Sequence, residues 1–416
     1  MKNNVGLMKS FVSRIHFVGI GGVGMSGIAE VLNNLGYRVS GSDLKATEVT
    51  RRLESQGVRF FLGHAAANVK TAQVVVVSSA VSAVNPEVVA ARKAGVPIVL
   101  RAQMLAELGQ MKKTVTVAGS HGKTTTTSMV SLALKAAGAD PTMIFGGQLK
   151  NIHSNARLGI GDYMVAEADE SDGSFVYLSP LAAVVTNIDN DHLDYHKSME
   201  GLKKAFLAHL ERLPFYGAAV LCADDPILSS ISGKIQRPLV TYGIKKEAQW
   251  RGKNIQMGKE GSRCDVFHHR RKVARMELRV AGRHNVLNAL GALAAGHFLG
   301  FDIKKLLKGL ADFRGVGRRM DRLGSAGGVE FVDDYGHHPT EIAATVGAIS
   351  GLWKARRTIV IFQPHRYSRT KLLAKEFGPS FKGADFVYVT DIYAAGEKPM
   401  PGVSSRLILD SIARCG

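Results

Sequence analysis

The residues best suited to chemistry lie between positions 115 and 127, where a β-branched run breaks into glycines and is followed by a lysine and four threonines. Gly119 and Gly122 allow backbone N–H groups to turn inward, and Lys123 can reach the terminal phosphates of a nucleotide. The hydroxyl of Thr124 can ligate Mg²⁺, and a helix that begins here directs its positive N-terminal end at the same anion. An exposed turn rich in glycine and threonine is the alternative, but a strand before it and a helix after it favour a phosphate loop. The predicted nucleotide-binding residues of this loop are Gly119, Ser120, His121, Gly122, Lys123, Thr124 and Thr125.

Two later apolar strands end in carboxylates, at the edge of the sheet where the phosphate loop also ends. These strands and their carboxylates lie within residues 163–172 and 182–194, and the second segment also contains His192. Metal–phosphate chemistry needs oxygen ligands at such an edge, so Glu167 or Asp169 is expected to bind Mg²⁺. Acidic clusters and single histidines are usually solvated or structural, but the position of these residues at strand ends favours a functional role.

A second glycine-rich turn, Gly19-x-Gly21-x-x-Gly24, follows an apolar strand at residues 15–20 and precedes a helix. Asp43 ends the next strand, where a dinucleotide-binding fold has its ribose-binding acid. This pattern alone suggests NAD, but a helix N-terminus directed at a pyrophosphate serves a UDP-sugar equally well. Asp43 can also be a plain turn residue, and the sequence leaves both alternatives open. Ser79 at a strand end and His64 in a loop are further candidates for ligand binding, although either can be a surface polar residue.

Two later segments offer groups for the rest of a nucleotide. Asn285 and Asn288 lie three residues apart on one face of a predicted helix, where they can recognise an adenine edge or cap the helix. From the pattern alone, capping is favoured. Arg318 and Arg319 follow a flexible Gly-Val-Gly segment and can clamp phosphates or form an exposed basic loop.

The alternation of strands and helices predicts an α/β protein with parallel sheets in two or three domains. In the C-terminal part, strands at 329–332, 358–362 and 386–390 are each followed by polar residues, as in the earlier units. These polar groups are therefore expected to collect where parallel strands stop. A more polar stretch at 245–272 predicts a small β-meander.

The chain has 416 residues and a formal charge of +19, with 54 lysines and arginines against 35 aspartates and glutamates. The basic residues are scattered without an aromatic-interleaved stripe, which favours anionic small substrates over nucleic acid. Three distant cysteines form neither a disulfide nor a zinc pattern, so a reducing cytoplasm is expected. No apolar stretch reaches membrane-spanning length and the N-terminus lacks a signal-peptide pattern, so neither membrane insertion nor export is expected.

Seven motifs along the chain are more informative as an ordered set than singly. They are Gly19-Ile-Gly-Gly-Val-Gly-Met-Ser-Gly27, Gly119-Ser-His-Gly-Lys-Thr-Thr125, Glu167-Ala-Asp-Glu-Ser-Asp172, Asn187-Ile-Asp-Asn-Asp-His192, Gly282-Arg-His-Asn285, Asp333-Asp-Tyr-Gly-His-His-Pro-Thr340 and Gln363-Pro-His-Arg366. Together they closely resemble the Mur ligase family, in family order, over the chain from about Ile15 to Pro401.

The resemblance implies three domains: residues 1–107 for a UDP-sugar, 108–322 for ATP and 323–416 for an amino acid. It assigns the first glycine-rich turn to UDP rather than NAD. By motif position it gives Thr124 and Glu167 as ligands of one Mg²⁺ and His192 as the ligand of a second. The catalytic residues that the resemblance implies are Lys123, His192, His337 and Arg366. The further nucleotide contacts are Asn285, Asn288 and the clamp residues Arg318 or Arg319. The substrate contacts are Gly21, Gly22, Gly24, Met25, Ser26, Asp43, His64, Ser79, Tyr335, Arg366 and Arg369.

The activity that the resemblance implies is ATP-dependent ligation of L-alanine to the lactyl carboxylate of UDP-N-acetylmuramate, through an acyl phosphate and with Mg²⁺. His337 is the candidate base, and Arg366 or Arg369 can hold the alanine carboxylate. A monomer or weak homodimer is expected. Three alternatives stay open: a ligase that attaches a preformed peptide to the same sugar, an NAD-dependent oxidoreductase, and a nucleotide-binding protein without catalysis.

The chain departs from the family pattern in two places. Ser120 stands where threonine is usual, which preserves the hydroxyl. Family members also continue beyond the helix near residue 410 with further strands and a glycine-rich loop. The third domain is therefore expected to be incomplete, and its stability reduced.

Overall fold

The computed structural model describes residues 5–152, 154–258, 260–353 and 356–415. They form three α/β units in succession along the chain. Strands with apolar side chains on both faces supply the sheets, as in the run Val74–Val77, which is buried throughout. Among the described residues, no helix combines the length and apolar character that crossing a membrane requires.

The first unit is built on a five-stranded parallel sheet. Its elements are α1 (Val5–Phe11), β1 (Arg14–Val18), α2 (Val23–Asn34), β2 (Arg38–Asp43), α3 (Glu48–Ser55), β3 (Arg59–Leu62), a 3₁₀ turn (Ala66–Val69), β4 (Val74–Val77), α4 (Pro86–Lys93), β5 (Ile98–Leu100) and α5 (Arg101–Gln110). The strand order is β3-β2-β1-β4-β5. The order reverses beside β1, and open parallel sheets bind ligands outside their carboxyl edge at such a point. The glycine-rich turn after β1 lies at that edge.

The central unit contains a ten-stranded sheet with the phosphate loop at its middle. Its elements are β6 (Lys113–Ala118), α6 (Lys123–Ala136), β7 (Thr142–Leu149), β8 (Ser154–Arg157), β9 (Tyr163–Glu167), a 3₁₀ turn (Ser174–Tyr177), β10 (Ala182–Val185), α7 (Leu193–His196), α8 (Met199–Glu211), β11 (Ala218–Cys222), α9 (Pro226–Ile231), a 3₁₀ turn (Ser232–Lys234), β12 (Leu239–Gly243), β13 (Trp250–Gly258), β14 (Gly261–His268), β15 (Arg271–Leu278), α10 (Arg283–Phe298) and α11 (Ile303–Ala311). The order is β15-β14-β13-β12-β11-β10-β6-β9-β7-β8. The parallel neighbours of β6 are β9 and β10, which lead into the two acidic segments. The antiparallel strands β13, β14 and β15 confirm the predicted meander.

The C-terminal unit contains two separate pairs of strands. Its elements are β16 (Asp321–Ala326), β17 (Val329–Asp333), α12 (Pro339–Leu352), β18 (Ile359–Phe362), α13 (Tyr367–Leu372), α14 (Ala374–Ser380), β19 (Phe386–Val389) and α15 (Arg406–Ala413). The pair β18–β19 is parallel, as predicted. The pair β16–β17 is antiparallel, because a two-residue turn at 327–328 reverses the chain. The expectation that β17 joins a parallel sheet is therefore wrong for the described residues.

Core packing joins the first two units and leaves the third with its own core. One buried cluster contains Phe17 and Ile28 of the first unit together with Val117 and Met129 of the central unit. The core of the C-terminal unit consists of Ile342, Val346, Phe362, Leu373, Phe377, Phe381 and Ile408. The helix α5 spans position 107 and the strand β16 spans position 322. The domain boundaries at these two positions stay predictions.

Candidate active site

The phosphate loop connects β6 to α6 at the carboxyl edge of the central sheet. Gly119 has a φ of 131°, and a Cβ atom there would lie 2.1 Å from the Thr186 hydroxyl oxygen, so this position requires glycine. The hydroxyl of Thr186 donates a hydrogen bond to the His121 carbonyl over 2.6 Å. The side-chain amide of Asn187 donates to the same carbonyl over 2.9 Å. The segment that follows β10 therefore fixes the shape of the loop.

Lys123 begins α6 and is surrounded by hydrogen-bond acceptors. Its ammonium lies 2.8 Å from the Gly119 carbonyl oxygen and 2.8 Å from Oε2 of Glu170, whose side chain is fully buried. Burial favours the neutral amine, but the charges of Glu170, Asp169 and Glu167 outweigh it and raise the pKa of Lys123 above its ordinary value. The lysine is therefore charged at neutral pH. A bound triphosphate would offer it oxygens in place of this carbonyl and carboxylate.

Oxygen donors for a divalent cation lie beside Lys123. At the end of β9, Oε2 of Glu167 accepts hydrogen bonds from the Thr124 hydroxyl and from the Gly146 backbone N–H, each over 2.8 Å. A carboxylate and a hydroxyl at this separation are the oxygen ligands that Mg²⁺ prefers next to a phosphate. The fold thus brings together Thr124 and Glu167, which the sequence analysis assigned to one metal ion.

His192, assigned to a second metal ion, lies at the start of the short helix α7 and has a φ of 58°. Its Nε2 lies 4.0 Å from Oε1 of Glu170 and 3.5 Å from Oδ2 of Asp191. Burial lowers the pKa of His192, an effect that Asp191 opposes and the positive charge of Lys123 strengthens. The imidazole is therefore neutral at pH 7, the form in which histidine binds metals.

A cavity of about 700 Å³ extends from the phosphate loop and is large enough for a nucleotide. Asn285 and Asn288 line it, and both side chains are buried. Asn285 also donates to the carbonyl of Ala281, four residues before it, over 2.7 Å. The capping that the pattern favoured is not observed, because Gly282 is the N-cap residue of α10 and, among the described residues, no side chain caps this helix end. The apolar part of the cavity wall includes Ile227, Val280 and Phe313.

Arg318 and Arg319 are adjacent in the chain, but their side chains face different cavities. Arg319 lines the nucleotide cavity, and its Nη1 lies 3.0 Å from Oε1 of Glu341. Arg318 has a φ of 57°, lines a cavity of the C-terminal unit and places its Nε 3.3 Å from Oδ2 of Asp333. Of the two clamp candidates, Arg319 is the one that lines the nucleotide cavity, and the Arg318 side chain lies beside Asp333 instead.

His121 of the phosphate loop links the central and C-terminal units. Its Nε2 lies 2.9 Å from Oδ2 of Asp189, and its Nδ1 lies 3.6 Å from Oε1 of Glu341. The Thr340 hydroxyl donates to the same Asp189 oxygen over 2.6 Å. Burial disfavours the imidazolium, but Asp189 and Glu341 outweigh it and raise the pKa of His121 to about 9. His121, Asp189 and His338 also lie close enough to hold a metal ion, but a proton on His121 accounts for the short contact with Asp189.

We expect the stabilisation that His121 provides to decrease as the pH rises. Its folded-state pKa of about 9 exceeds the ordinary value of 6.5, so the contribution is complete below about pH 6.5 and is lost as the pH rises through about 9. Replacing His121 with glutamine should therefore lower the melting temperature by a few degrees at pH 6.5 and hardly at all at about pH 9.5. Scanning fluorimetry measures this difference, with the exposed His269→Gln as control. An equal loss at both pH values would contradict the ion-pair account.

The glycine-rich turn after β1 is held by Asp43, at the end of β2. One oxygen of this carboxylate accepts from the Gly21 backbone N–H over 2.9 Å, and the other accepts from the Leu44 backbone N–H over 2.8 Å. Asp43 therefore acts as a turn residue, one of its two alternatives. Each carboxylate oxygen keeps a second lone pair, so the assignment of Asp43 as a substrate contact stays a prediction.

Met25 and Ser26, predicted to contact the substrate, face inward on α2. The Met25 side chain is buried, and the Ser26 hydroxyl is buried and accepts from the Asn155 side chain over 3.0 Å. Their backbone N–H groups both donate to the Gly22 carbonyl. These two predictions are corrected, because the Met25 side chain is buried and Ser26 binds Asn155 of β8, the strand of the central unit against which α2 packs. The glycines of the turn are accessible to solvent: Gly21, Gly22 and Gly24.

Residues from all three units meet at a cleft of about 490 Å³. Its lining includes Ser79 of the first unit, His192 of the central unit and Arg366 of the C-terminal unit. Arg101, at the start of α5, lies between the glycine-rich turn and the acidic segment, with its Nη2 4.0 Å from Oδ2 of Asp169. Groups from three units can therefore act on one substrate at this cleft.

Tyr335 and His337 line a separate cavity of about 1030 Å³ in the C-terminal unit. Nδ1 of His337 lies 3.0 Å from the Tyr335 carbonyl oxygen. Burial lowers the pKa of His337 to about 4, and Arg369 contributes in the same direction. The ring is therefore neutral at pH 7, the form that can accept a proton, and the assignment of His337 as the base stays a prediction.

Arg369, predicted to hold the amino acid, is instead part of the contact between units. Its side chain is only 7% exposed, and its Nη2 donates to Oδ1 of Asp191 over 3.0 Å. Its Nη1 lies 3.1 Å from Nδ1 of His365. This prediction is corrected, because the guanidinium already binds the loop that carries His192. Arg366, which lines the cleft, is left as the candidate for the carboxylate.

Models of known protein families match most of the chain. Residues 14–113 match the model described as "Mur ligase family, catalytic domain", residues 117–296 match "Mur ligase middle domain", and residues 318–416 match "Mur ligase, glutamate ligase domain". This chain belongs to the Mur ligase family. The membership confirms the resemblance seen in the motifs and the three-domain α/β architecture that it implied. It also removes the oxidoreductase alternative, because the first glycine-rich turn lies in a Mur ligase domain.

Known relatives of this chain, and solved structures of similar proteins, match it over nearly their whole length. A "UDP-N-acetylmuramate--L-alanine ligase" from Endomicrobium trichonymphae is 54% identical, over 96% of this chain and 88% of the relative. One from Anaeromyxobacter sp. is 52% identical, over 99% of this chain and 89% of the relative. The crystal structure of the UDP-N-acetylmuramate-alanine ligase MurC from Thermotoga maritima has a TM-score of 0.82 at 33% identity, and the match covers 97% of this chain and 89% of the other. The crystal structure of a murein peptide ligase from Psychrobacter arcticus has a TM-score of 0.75 at 26% identity, and the match covers 97% of this chain and 88% of the other.

Several residues of this Mur ligase site were not singled out by the sequence analysis. They are Arg101, Glu170, Asp189, His284 and Glu341. Glu170 belongs to an acidic run that was recognised, but its spacing does not distinguish it from Glu167 and Asp169. Arg101 directly follows the last residue of β5, and this strand-end position was the signal that could have identified it.

Proposed function

We propose that this Mur ligase joins L-alanine to the lactyl carboxylate of UDP-N-acetylmuramate and cleaves ATP to ADP and phosphate. The observation that carries the proposal is the cleft where Ser79, His192 and Arg366 of the three units meet, next to the buried pair of Lys123 and Glu170. One substrate there can touch a sugar-nucleotide unit, a phosphate loop and an amino-acid unit. The name of relatives that are 54% and 52% identical supports the same activity.

In the first chemical step, a lactyl carboxylate oxygen attacks the γ-phosphorus of ATP, and the bond from that phosphorus to the bridging oxygen of ADP breaks. An anion then approaches a polyanion, so the site must neutralise negative charge. Lys123 carries a positive charge at neutral pH, and Arg319 lines the same cavity. The product is an acyl phosphate, in which phosphate replaces oxide as the leaving group.

In the second step, the amine of L-alanine attacks the acyl carbon, and the bond from this carbon to the phosphate oxygen breaks. Phosphate leaves, and the extra proton of the nitrogen passes to it, directly or through the neutral ring of His337, so the products are the amide and hydrogen phosphate. Arg366 lines the cleft and can hold the alanine carboxylate, which leaves the amine directed at the acyl carbon. His192 is neutral and near the reacting groups, and burial lowers the pKa of His337 to about 4, so the His337 ring is also neutral and can accept a hydrogen bond from the amine.

The donor set beside the phosphate loop fits Mg²⁺. The Thr124 hydroxyl and the Glu167 carboxylate would hold one ion, and the neutral His192 would ligate a second. When bound, Mg²⁺ supplies positive charge to phosphate oxygens as the transfer proceeds. The contribution of these three residues is to fix the position of that charge next to Lys123.

A ligase that attaches a preformed peptide is the second candidate. The cavity of about 1030 Å³ beside Tyr335 and His337 exceeds what a single alanine fills. A solved structure of a murein peptide ligase also has a TM-score of 0.75 to this chain. These two observations favour testing a peptide substrate alongside alanine.

One assay tests both candidates. The full chain is incubated with ATP, Mg²⁺ and UDP-N-acetylmuramate, and phosphate release and product mass are measured with L-alanine, glycine, L-serine or a tripeptide. We expect phosphate release that requires both substrates, with kcat/KM highest for L-alanine. A preference for the tripeptide would replace the first candidate with the second. ATP binding without any amide product would leave only a nucleotide-binding protein.

A further inference from the structure

A buried carboxylate in the first unit has no part in the chemistry above. Glu87 lies in the first turn of α4, and its side chain is 0% exposed. Its Oε2 accepts from the Ser42 hydroxyl over 2.6 Å, and its Oε1 accepts from the Asn68 side-chain amide over 2.6 Å. Nδ1 of His64 lies 3.1 Å from Oε2. One residue of α4 thus binds the end of β2 and two positions in the segment after β3.

The contacts keep Glu87 ionised although it is buried. Burial alone would raise the pKa of Glu87, but the neighbouring His16, Ser42 and Asn68 outweigh it and lower the pKa to about 2. A buried charge is costly unless it is paired and hydrogen-bonded, so a residue of this kind serves a specific arrangement.

The hydrogen bonds assign the proton of His64 to one ring nitrogen. The Ser42 hydroxyl gives its single hydrogen to Glu87, so its oxygen must accept from Nδ1 of His64, which lies 2.9 Å away. Nδ1 therefore carries a hydrogen and shares it between Ser42 and Glu87. In the neutral ring, Nε2 is then the nitrogen that offers a lone pair to a ligand. The His64 side chain is partly exposed, at 17%.

The same carboxylate also supports the glycine-rich turn. The Ser42 carbonyl accepts from the backbone N–H groups of Gly19 and Ile20, over 2.8 and 3.0 Å. Glu87 fixes the Ser42 side chain, and Ser42 fixes the start of the turn. His64 and the turn therefore share one anchor at the carboxyl edge of the sheet, where ligands bind in such folds.

We propose that Glu87 is a positioning residue for the UDP portion of the substrate, acting through His64 and Ser42. It holds His64 with Nε2 available to accept a hydrogen bond from an N–H or O–H group of the uridine. The inference rests on the proposed function, because that function supplies the uridine nucleotide. Glu87 contacts no part of the ATP site, so its effect is confined to sugar-nucleotide binding.

The test is calorimetric titration of the full chain with UDP-N-acetylmuramate and with UMP. We expect Glu87→Gln to raise both dissociation constants about tenfold, the effect of one lost hydrogen bond to a charged group, and to leave the KM for ATP unchanged. Glu48→Gln, at an exposed position in the first turn of α3, is the control. Wild-type protein that binds neither ligand would overturn the proposed function. Wild-type protein that binds both with the same affinity as Glu87→Gln would overturn only this inference.

A double-mutant cycle separates positioning from general stabilisation. If Glu87 acts through His64, then Glu87→Gln combined with His64→Ala should bind UMP no more weakly than His64→Ala alone. Full additivity would exclude the route through His64. Two analogues identify the group that donates to His64: N3-methyl-UMP lacks the N3–H of the base, and 2′,3′-dideoxy-UMP lacks the ribose hydroxyls. The analogue that lacks the donor should bind to wild type and to His64→Ala with equal affinity.

A measurement on the wild-type protein covers the case in which Glu87→Gln does not fold. The ¹⁵N chemical shifts of the His64 ring distinguish its two neutral tautomers. We expect the neutral ring to be the Nδ1–H tautomer. An Nε2–H tautomer would overturn the inference.

Discussion

Replacing Lys123 with alanine is expected to lower kcat at least about 10³-fold, the scale on which phosphoryl-transfer enzymes lose rate when a cation at the phosphates is removed. The ammonium lies among three carboxylates, Glu170, Asp169 and Glu167, which together raise its pKa. Without it, a triphosphate would have to enter a site of uncompensated negative charge. Release of ADP measures the effect. The control is Lys135→Ala, an exposed lysine in the last turn of the same helix.

Loss of activity in Lys123→Ala must be separated from loss of folding. The substitution leaves Glu170 buried without its partner, and because burial already raises the pKa of Glu170 to about 7, loss of the lysine favours the neutral acid. The double variant Lys123→Ala, Glu170→Gln removes both ionisable groups, so its melting temperature should be at least that of Lys123→Ala while its activity stays lost. Activity of either variant within about threefold of wild type would disprove the assignment of Lys123.

Replacing Glu167 with glutamine is expected to lower kcat at least about 10²-fold and to raise the Mg²⁺ concentration needed for half-maximal activity. Glutamine has nearly the same shape and can still accept from Thr124 and Gly146, which bind Oε2 in the wild type. The charge that would bind the cation is lost, while the local hydrogen bonds are kept. The effect should therefore be on metal dependence rather than on folding.

Titration of activity with Mg²⁺ and with Mn²⁺ measures this change. Mn²⁺ has similar oxygen ligands and should restore part of the activity at high concentration. Glu107→Gln, at an exposed position on α5, is the control and should retain the wild-type Mg²⁺ dependence. An unchanged Mg²⁺ requirement in Glu167→Gln would show that Glu167 does not bind the metal.

Much of the phosphate site could be predicted because its parts lie at the carboxyl ends of neighbouring parallel strands. Apolar runs identified β6, β9 and β10 as strands, and the residues that follow them had to meet at one edge. The pairing of Thr124 with Glu167, 43 residues apart, follows from that rule. The rule does not choose between carboxylates in one run, so Glu170 was not recognised as the partner of Lys123.

Contacts between units could not be predicted from the same rules. Arg369 and Asp191 are 178 residues apart, and Thr340 and Asp189 are 151 residues apart. Nothing in the local pattern of either segment indicates the other. Arg369 was therefore assigned to a substrate, although the structure uses it to hold two units together.

The sequence by itself determined the order of strands and helices, the phosphate loop and the acidic strand ends. It could do so because hydrophobic periodicity and turn-forming residues act locally along the chain. Only the tertiary structure decided that Arg319 rather than Arg318 lines the nucleotide cavity, that Met25 and Ser26 are buried, and that His121 lies between Asp189 and Glu341. Each of these outcomes depends on which distant segments pack together, and packing is decided by the shape and charge of surfaces that no single stretch of sequence contains.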